Sequence, residues 1–205
     1  RDVAQTALSV NGDLEKLRNE KFAGGDKTVD EHIAGMVGQI GENLNLRRAH
    51  GIVVEEGVVA NYIHGQAADG LGKIGVLVGL KSSGDKAKLE AVGKQIAMHV
   101  AADRPLAANV AELDQTVVER EKSVLADQAR ASGKPENIIE KMVEGRLRKF
   151  YEESVLLEQI FVIDGESKVS AVLEKAAKDV GAPIELVGFA RLELGDGVEK
   201  SDDDD

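Results

Sequence analysis

Ile74-Gly75-Val76-Leu77-Val78-Gly79-Leu80 is the clearest strand in this sequence, and the elements on either side are read relative to it. It is an unbroken aliphatic and glycine run, rich in β-branched valine and bounded by polar residues. Upstream, Val58, Val59, Tyr62 and Ile63 make a second strand candidate. Leu44 and Leu46, followed by Ile52, Val53 and Val54, carry period-two patterning and make another. The Gly-rich connections between these strands are too short for a parallel crossover, so an antiparallel meander is expected. Downstream, Lys86–Ala102 puts Leu89, Val92, Ile96 and Val100 on one helical stripe that ends at Arg104-Pro105.

Further out the pattern is mostly helical. Residues 1–23 carry Val3, Ala7, Leu8, Leu14 and Leu17 at helical spacing, and Gly24-Gly25 interrupts them. Asp26-Lys27-Thr28 caps a helix expected over 28–41, with Val29, Ile33, Met36, Val37 and Ile40 on one stripe. Between Asp114 and Ser132, Val117, Val118, Val124, Leu125 and Ala129 recur at three- and four-residue spacing. Ile138, Ile139, Met142, Val143, Leu147 and Phe150 carry a partner helix after the Ser132-Gly133-Lys134-Pro135 corner. Together these predict an antiparallel helical hairpin with charged outer faces. Ile160-Phe161-Val162-Ile163 reads as a short strand or extended segment, Val169–Ala176 as a helix ending near Gly181, and Ile184–Leu194 as a last strand. Strands in local runs separated by helices give an α+β fold class.

Composition removes several kinds of function. The 205 residues contain no cysteine, which excludes disulfides, thiolate metal sites and cysteine nucleophiles and suits a reducing compartment. Four Phe, two Tyr and no Trp leave little for base stacking. A net charge of −11 repels nucleic acid and anionic membrane surfaces, so neither is expected as a partner. No apolar run approaches the ~20 residues that span a bilayer, and the start, at Arg1, lacks a signal-peptide pattern.

The motifs that look chemical do not hold up. Gly70-Leu71-Gly72-Lys73-Ile74-Gly75 matches a dinucleotide fingerprint in spelling, but it precedes a strand instead of opening a helix, so a hairpin turn is the better reading. A phosphate-loop pattern fails because Ile74 follows Lys73 where Ser or Thr is required. His32, His50, His64 and His99 form no close metal-ligand pair, and His99 follows an apolar stripe and reads as packed. Glu55-Glu56 reads as a solvated turn, and the terminal Asp run lacks the spacing of a calcium loop. No catalytic residue, metal or cofactor is therefore expected. The small-residue α+β body with a charged helical hairpin suits a protein that works by touching another protein.

Specific residues then add a resemblance. Lys134-Pro135-Glu136 and Glu140–Phe150 are similar to the helical-arm segment of the bacterial elongation factor Ts family. Ile40-Gly41-Glu42-Asn43-Leu44-Asn45-Leu46-Arg47-Arg48 resembles the signature before that family's first sheet. Tyr62-Ile63-His64-Gly65, Lys73–Val78, Ile96–Ala102, Leu157–Val162 and Gly195–Lys200 resemble its second half in the same order.

The resemblance implies two subdomains with small antiparallel sheets and flanking helices, plus an inserted antiparallel hairpin forming a coiled-coil arm. On it the chain divides into a partial first core subdomain (1–55), a second (56–104 with 159–195), the arm (105–158) and an acidic mobile tail (196–205). It implies exchange of GDP for GTP on elongation factor Tu, met in its GDP-bound and nucleotide-free forms, in the bacterial cytoplasm rather than a mitochondrion. The family's N-terminal helical domain, its Thr-Asp-Phe-Val-Ala motif and its C-terminal helix have no counterpart here, so truncation at both ends and impaired exchange are expected. The partner contacts it implies are Ile40 and Gly41, His64 with Gly65, and Val162. Plain core packing is the alternative for Ile40 and Val162, and helix capping for Gly41. The rival function is a structural or regulatory module that binds through the arm, and a homodimer is an open alternative.

Overall fold

The computed structural model describes residues 1–131, 133 and 135–197. Three short helices lead: α1 (Asp2–Ser9), α2 (Leu14–Asn19) and α3 (Val29–Ile40). The strand pair β1 (Gly57–Ala68) and β2 (Leu71–Lys81) follows, then α4 (Lys86–Asp103). Next come α5 (Gln115–Arg130), α6 (Glu136–Ser154), α7 (Val169–Val180) and finally β3 (Glu185–Glu193).

The helix boundaries lie where local chemistry puts them. Thr28 and Glu31 form a complete capping box on α3, each side chain bonding the other residue's backbone N–H. Asp85 and Asp114 cap α4 and α5 by accepting from backbone amides, and Gly181 closes α7 in the left-handed conformation. α5 and α6 lie side by side and antiparallel. Leu125 and Ala129 are buried against Ile139 and Val143, and Val118 lies in a second cluster with Leu147, Phe150 and Tyr151. Arg146 also donates to Gln128 across the pair. Of the corner between the two helices, Ser132 and Lys134 lie outside the described residues.

The sheet departs from expectation. Among the described residues there is one three-stranded antiparallel sheet, ordered β1-β2-β3, where two small sheets were expected. Its third strand is the distant β3, and the meander through 52–54 does not form. Val78 pairs with Ala60 on one side and with Phe189 on the other. Residues 43–54 join no strand. The reason lies at Gly79. A Cβ there would sit 2.7 Å from Ile52 Cγ2 and 3.2 Å from Val54 Cγ2, so this segment crosses over the sheet face instead of lying along its edge. Period-two residues satisfy either arrangement; only the available surface chooses.

The opposite face carries the core. Val76, Val78 and Leu80 pack against Leu89, Val92, Ile96 and Val100 of α4, with Val169, Leu173 and Val180 of α7 closing the layer. Of the dinucleotide-like glycines, Gly70 lies in the β1–β2 hairpin connection and Gly72 and Gly75 pair within the hairpin as part of β2, so they open a strand and not a helix. Ile160–Ile163 is a turn, touching a ladder only through the isolated bridge Ile160–Lys168. The acidic tail from residue 198 onward lies outside the described residues.

Candidate functional site

α4 supplies the floor of the candidate site. It leaves the end of β2 and runs back over the sheet, so that its last turns lie over the hairpin end of β1. Ala60, Tyr62 and His64 alternate along β1 and share the face that α4 covers. Ala60 lies beneath Gly93, Tyr62 packs on the core, and His64 continues the row toward the exposed hairpin end. Tyr62 Oη hydrogen-bonds His64 Nδ1 at 3.1 Å, which orients the exposed imidazole from below. Gly65 follows with φ of 61°, a left-handed conformation that glycine adopts without strain, and it faces the Lys73 side chain.

The row continues across the sheet. His64 pairs with Ile74 and Ile74 with Glu193. Glu193 accepts from Arg191 at 2.8 Å and stands 3.2 Å from Arg104, the residue that caps α4. Arg191 also donates to the Ala101 carbonyl, which ties β3 to the same helix end.

Val162 is anchored on the same stretch of α4. Its backbone N–H donates to His99 Nδ1 at 3.2 Å, while the residue as a whole is 42% exposed. Ile160 and Ile163 beside it are exposed too, and Phe161 between them is buried. The turn is closed from below by Asp164, whose Oδ1 accepts from the Glu166 and Ser167 amides at 3.0 Å each. Those hydrogen bonds, Glu166's first, hold the Asp164 carboxyl below its ordinary value of 3.8. A depressed folded-state pKa stabilises the turn above that ordinary value, and the contribution disappears as pH falls through the depressed one. On acidification below the carboxylate range, the protection factors of the Glu166 and Ser167 amides, referred to intrinsic exchange at each pH, should therefore fall in hydrogen-exchange NMR. In Asp164→Asn, which keeps an uncharged acceptor, that pH step should vanish.

Ile40 and Gly41 lie apart from this cluster. Gly41 closes α3 with φ of 78°, its N–H donating to the Val37 carbonyl, so it acts as a helix cap whatever else it touches. Ile40 is exposed at the end of a stripe of which only Val29 is buried. The segment 44–46 folds back beside α3, and Arg18 donates to the Leu46 carbonyl. Among the described residues, no hydrogen bond joins Ile40 or Gly41 to His64 or Val162.

Sequence reasoning placed His99 in the packing, where the structure has it, but missed its hydrogen bonds and missed Gln159. The signal was available: one uncharged amide, next to Glu158, in the mainly apolar stretch that runs from Leu156 to Val162, and one imidazole on a helix stripe. A lone polar group in such a place must be hydrogen-bonded once it is buried. His64 faces a phenol, and among the described residues no group of three or more His, Cys, Asp or Glu is placed to hold a metal ion. No helix among them is long and apolar enough to cross a membrane. The arrangement offers an exposed imidazole, an exposed apolar turn and exposed backbone at glycines, all of which suit contact with another surface.

Comparison with known proteins finds one family. The family model described as Elongation factor TS matches residues 1–196. The chain is 57% identical over 203 residues to elongation factor Ts of Rhodospirillum rubrum, covering 98% of this chain and 66% of that protein. It is 54% identical over 202 residues to elongation factor Ts of Rhodospirillum centenum, covering 98% of this chain and 66% of the relative. With the Rhizobium etli (strain CIAT 652) elongation factor Ts it shares 54% identity over 204 residues, all of this chain and 66% of the relative. The chain thus spans just under two thirds of the length of the curated relatives it matches.

Proposed function

This chain belongs to the elongation factor Ts family, and on that premise we propose that it is a guanine nucleotide exchange factor for elongation factor Tu in translation elongation. The observation that carries the reading is the unbroken family match over residues 1–196, which includes all five candidate contact residues. Ile40, Gly41, His64, Gly65 and Val162 are the proposed contacts, α5 and α6 the proposed coiled-coil arm, and the division at 55, 104 and 158 the proposed subdomain plan. The proposed location is the bacterial cytoplasm.

Such a factor makes and breaks no covalent bond. It works because it binds the nucleotide-free partner more tightly than the nucleotide-bound one, and by linkage each ligand then weakens the other's hold. A surface of this kind needs exposed, firmly held groups, and His64 on a strand and Val162 on a closed turn meet that need. A minority of contacts carries most of the binding energy, so truncating one of these side chains is worth about 2 kcal/mol where it is central.

The test is release of a fluorescent GDP analogue from elongation factor Tu, together with calorimetry against the nucleotide-free partner. The 205-residue chain should bind, and should accelerate release less than the full-length Rhodospirillum rubrum relative does. Absence of binding to nucleotide-free elongation factor Tu would refute the reading. A variant lacking residues 114–150 should still bind; loss of all binding would instead favour a module that acts through the arm.

A further inference from the structure

His99 is fully buried, yet both ring nitrogens are engaged. The Val162 N–H can only donate, so Nδ1 at 3.2 Å must be the acceptor and Nε2 must carry the proton. That proton points at Gln159 Oε1, 3.0 Å away. The Gln159 amide cannot be turned the other way round, because its nitrogen donates to the backbone carbonyls of Asp103 at 3.2 Å and Glu153 at 2.8 Å. One amide therefore joins the ends of α4 and α6 and sets the tautomer of the imidazole. The Asp103 carboxylate stands 3.8 Å from Nδ1, beyond hydrogen-bond range. The Phe161 ring lies tilted beside the imidazole at 5.8 Å.

This network ends at the backbone of an exposed apolar turn. We propose that His99, oriented by Gln159, is a positioning residue: its Nδ1 fixes the Val162 amide and thereby the direction in which the Val162 side chain is presented. The inference rests on the reading of Val162 as a contact for elongation factor Tu. The carbonyl of the same peptide accepts from the Gly165 N–H at 2.8 Å, a bond made within the turn itself; the bond from Val162 N–H to the locked ring is the directional one that ties that peptide to the buried core.

Two substitutions separate positioning from core filling. His99→Asn keeps an acceptor at the δ position and loses the Gln159 bond; His99→Gln keeps a donor at the ε position and loses the Val162 bond. Both leave a smaller side chain and should lower the melting temperature alike. In the free chain, exchange of the Val162 amide should stay near wild type in H99N and become roughly tenfold faster in H99Q, the worth of one hydrogen bond. Affinity for nucleotide-free elongation factor Tu should follow the same split, near wild type in H99N and roughly tenfold weaker in H99Q. Equal behaviour of the two variants would overturn the proposal. The ¹⁵N shifts of the wild-type ring give a check free of mutation: protonated Nε2 and bare Nδ1 are expected, and the reverse tautomer would overturn it. Val162→Asp, measured alongside, tests the contact itself. Unchanged affinity there would sink the contact reading while the exchange data still judge the role of His99.

Discussion

Gln159→Leu should cost this chain about 2 to 4 kcal/mol of stability, from one buried and two part-buried polar groups left without partners. The side chain is 3% exposed. Removing its amide leaves the Asp103 and Glu153 carbonyls without a donor and the His99 Nε2–H without an acceptor. Leucine is close in size, so the cost comes from desolvated polar groups and not from a cavity. For a chain of this length that corresponds to a fall in melting temperature of about 10 °C. Urea unfolding followed by circular dichroism measures it, and a loss under about 0.5 kcal/mol, the scale of a surface substitution, would show that the network adds nothing. The size of this effect is also why His99, rather than Gln159, is the better place to test positioning: its two amide substitutions each retain half of the ring's bonding.

Gly93→Leu should be of similar severity, for a steric reason. Gly93 is where α4 comes closest to β1. A Cβ there would stand 2.7 Å from Ala60 Cβ and 3.3 Å from Leu80 Cδ1, and both neighbours are buried. Two effects compete. Replacing glycine inside a helix gains up to about 1 kcal/mol in helix propensity. Overpacking a close helix–sheet contact costs about 1 to 3 kcal/mol or more, and leucine adds three carbons beyond the Cβ. The steric term wins, and a net loss of about 3 kcal/mol is expected. Gly38 in α3 gives the contrast, since nothing lies within 4 Å of its would-be Cβ. There Gly38→Ala should raise stability by about 0.5 to 1 kcal/mol, because the propensity gain meets no opposition. If both variants destabilise, or neither does, space at the helix surface is not what distinguishes these glycines. Thermal unfolding of the two proteins side by side decides it.

The helices were legible because their causes are local. Thr28 with Glu31, Asp85, Asp114 and Gly181 mark ends by hydrogen bonds or backbone conformation a few residues away. The stripe Leu89, Val92, Ile96 and Val100 identifies the buried face of α4. In α5 the same approach overreached: Val117 and Val124 are exposed beside buried Val118 and Leu125, since a helix in a two-member pair buries only a narrow seam.

Strand partnership was not legible, and the candidate site only partly. Residues 52–54 and 185–193 are both extended and rich in apolar residues, and no local rule ranks them as partners for β2. For the site, family resemblance picks out His64, Gly65 and Val162, but their common support on the last turns of α4 appears only once β1, β3 and the 160–165 turn are placed around it. Gln159 illustrates the same limit. Of its three partners, at 99, 103 and 153, the first two lie 60 and 56 residues away and become neighbours through packing alone. What the order of amino acids determined by itself was the set of helices, the central strand, the absence of thiol chemistry and the family. What tertiary structure alone decided was which extended segment joins the sheet and which polar groups meet in its core, because both depend on surfaces brought together from distant parts of the chain, as Ile74 with Glu193 and His99 with Gln159, where short-range propensity has no reach.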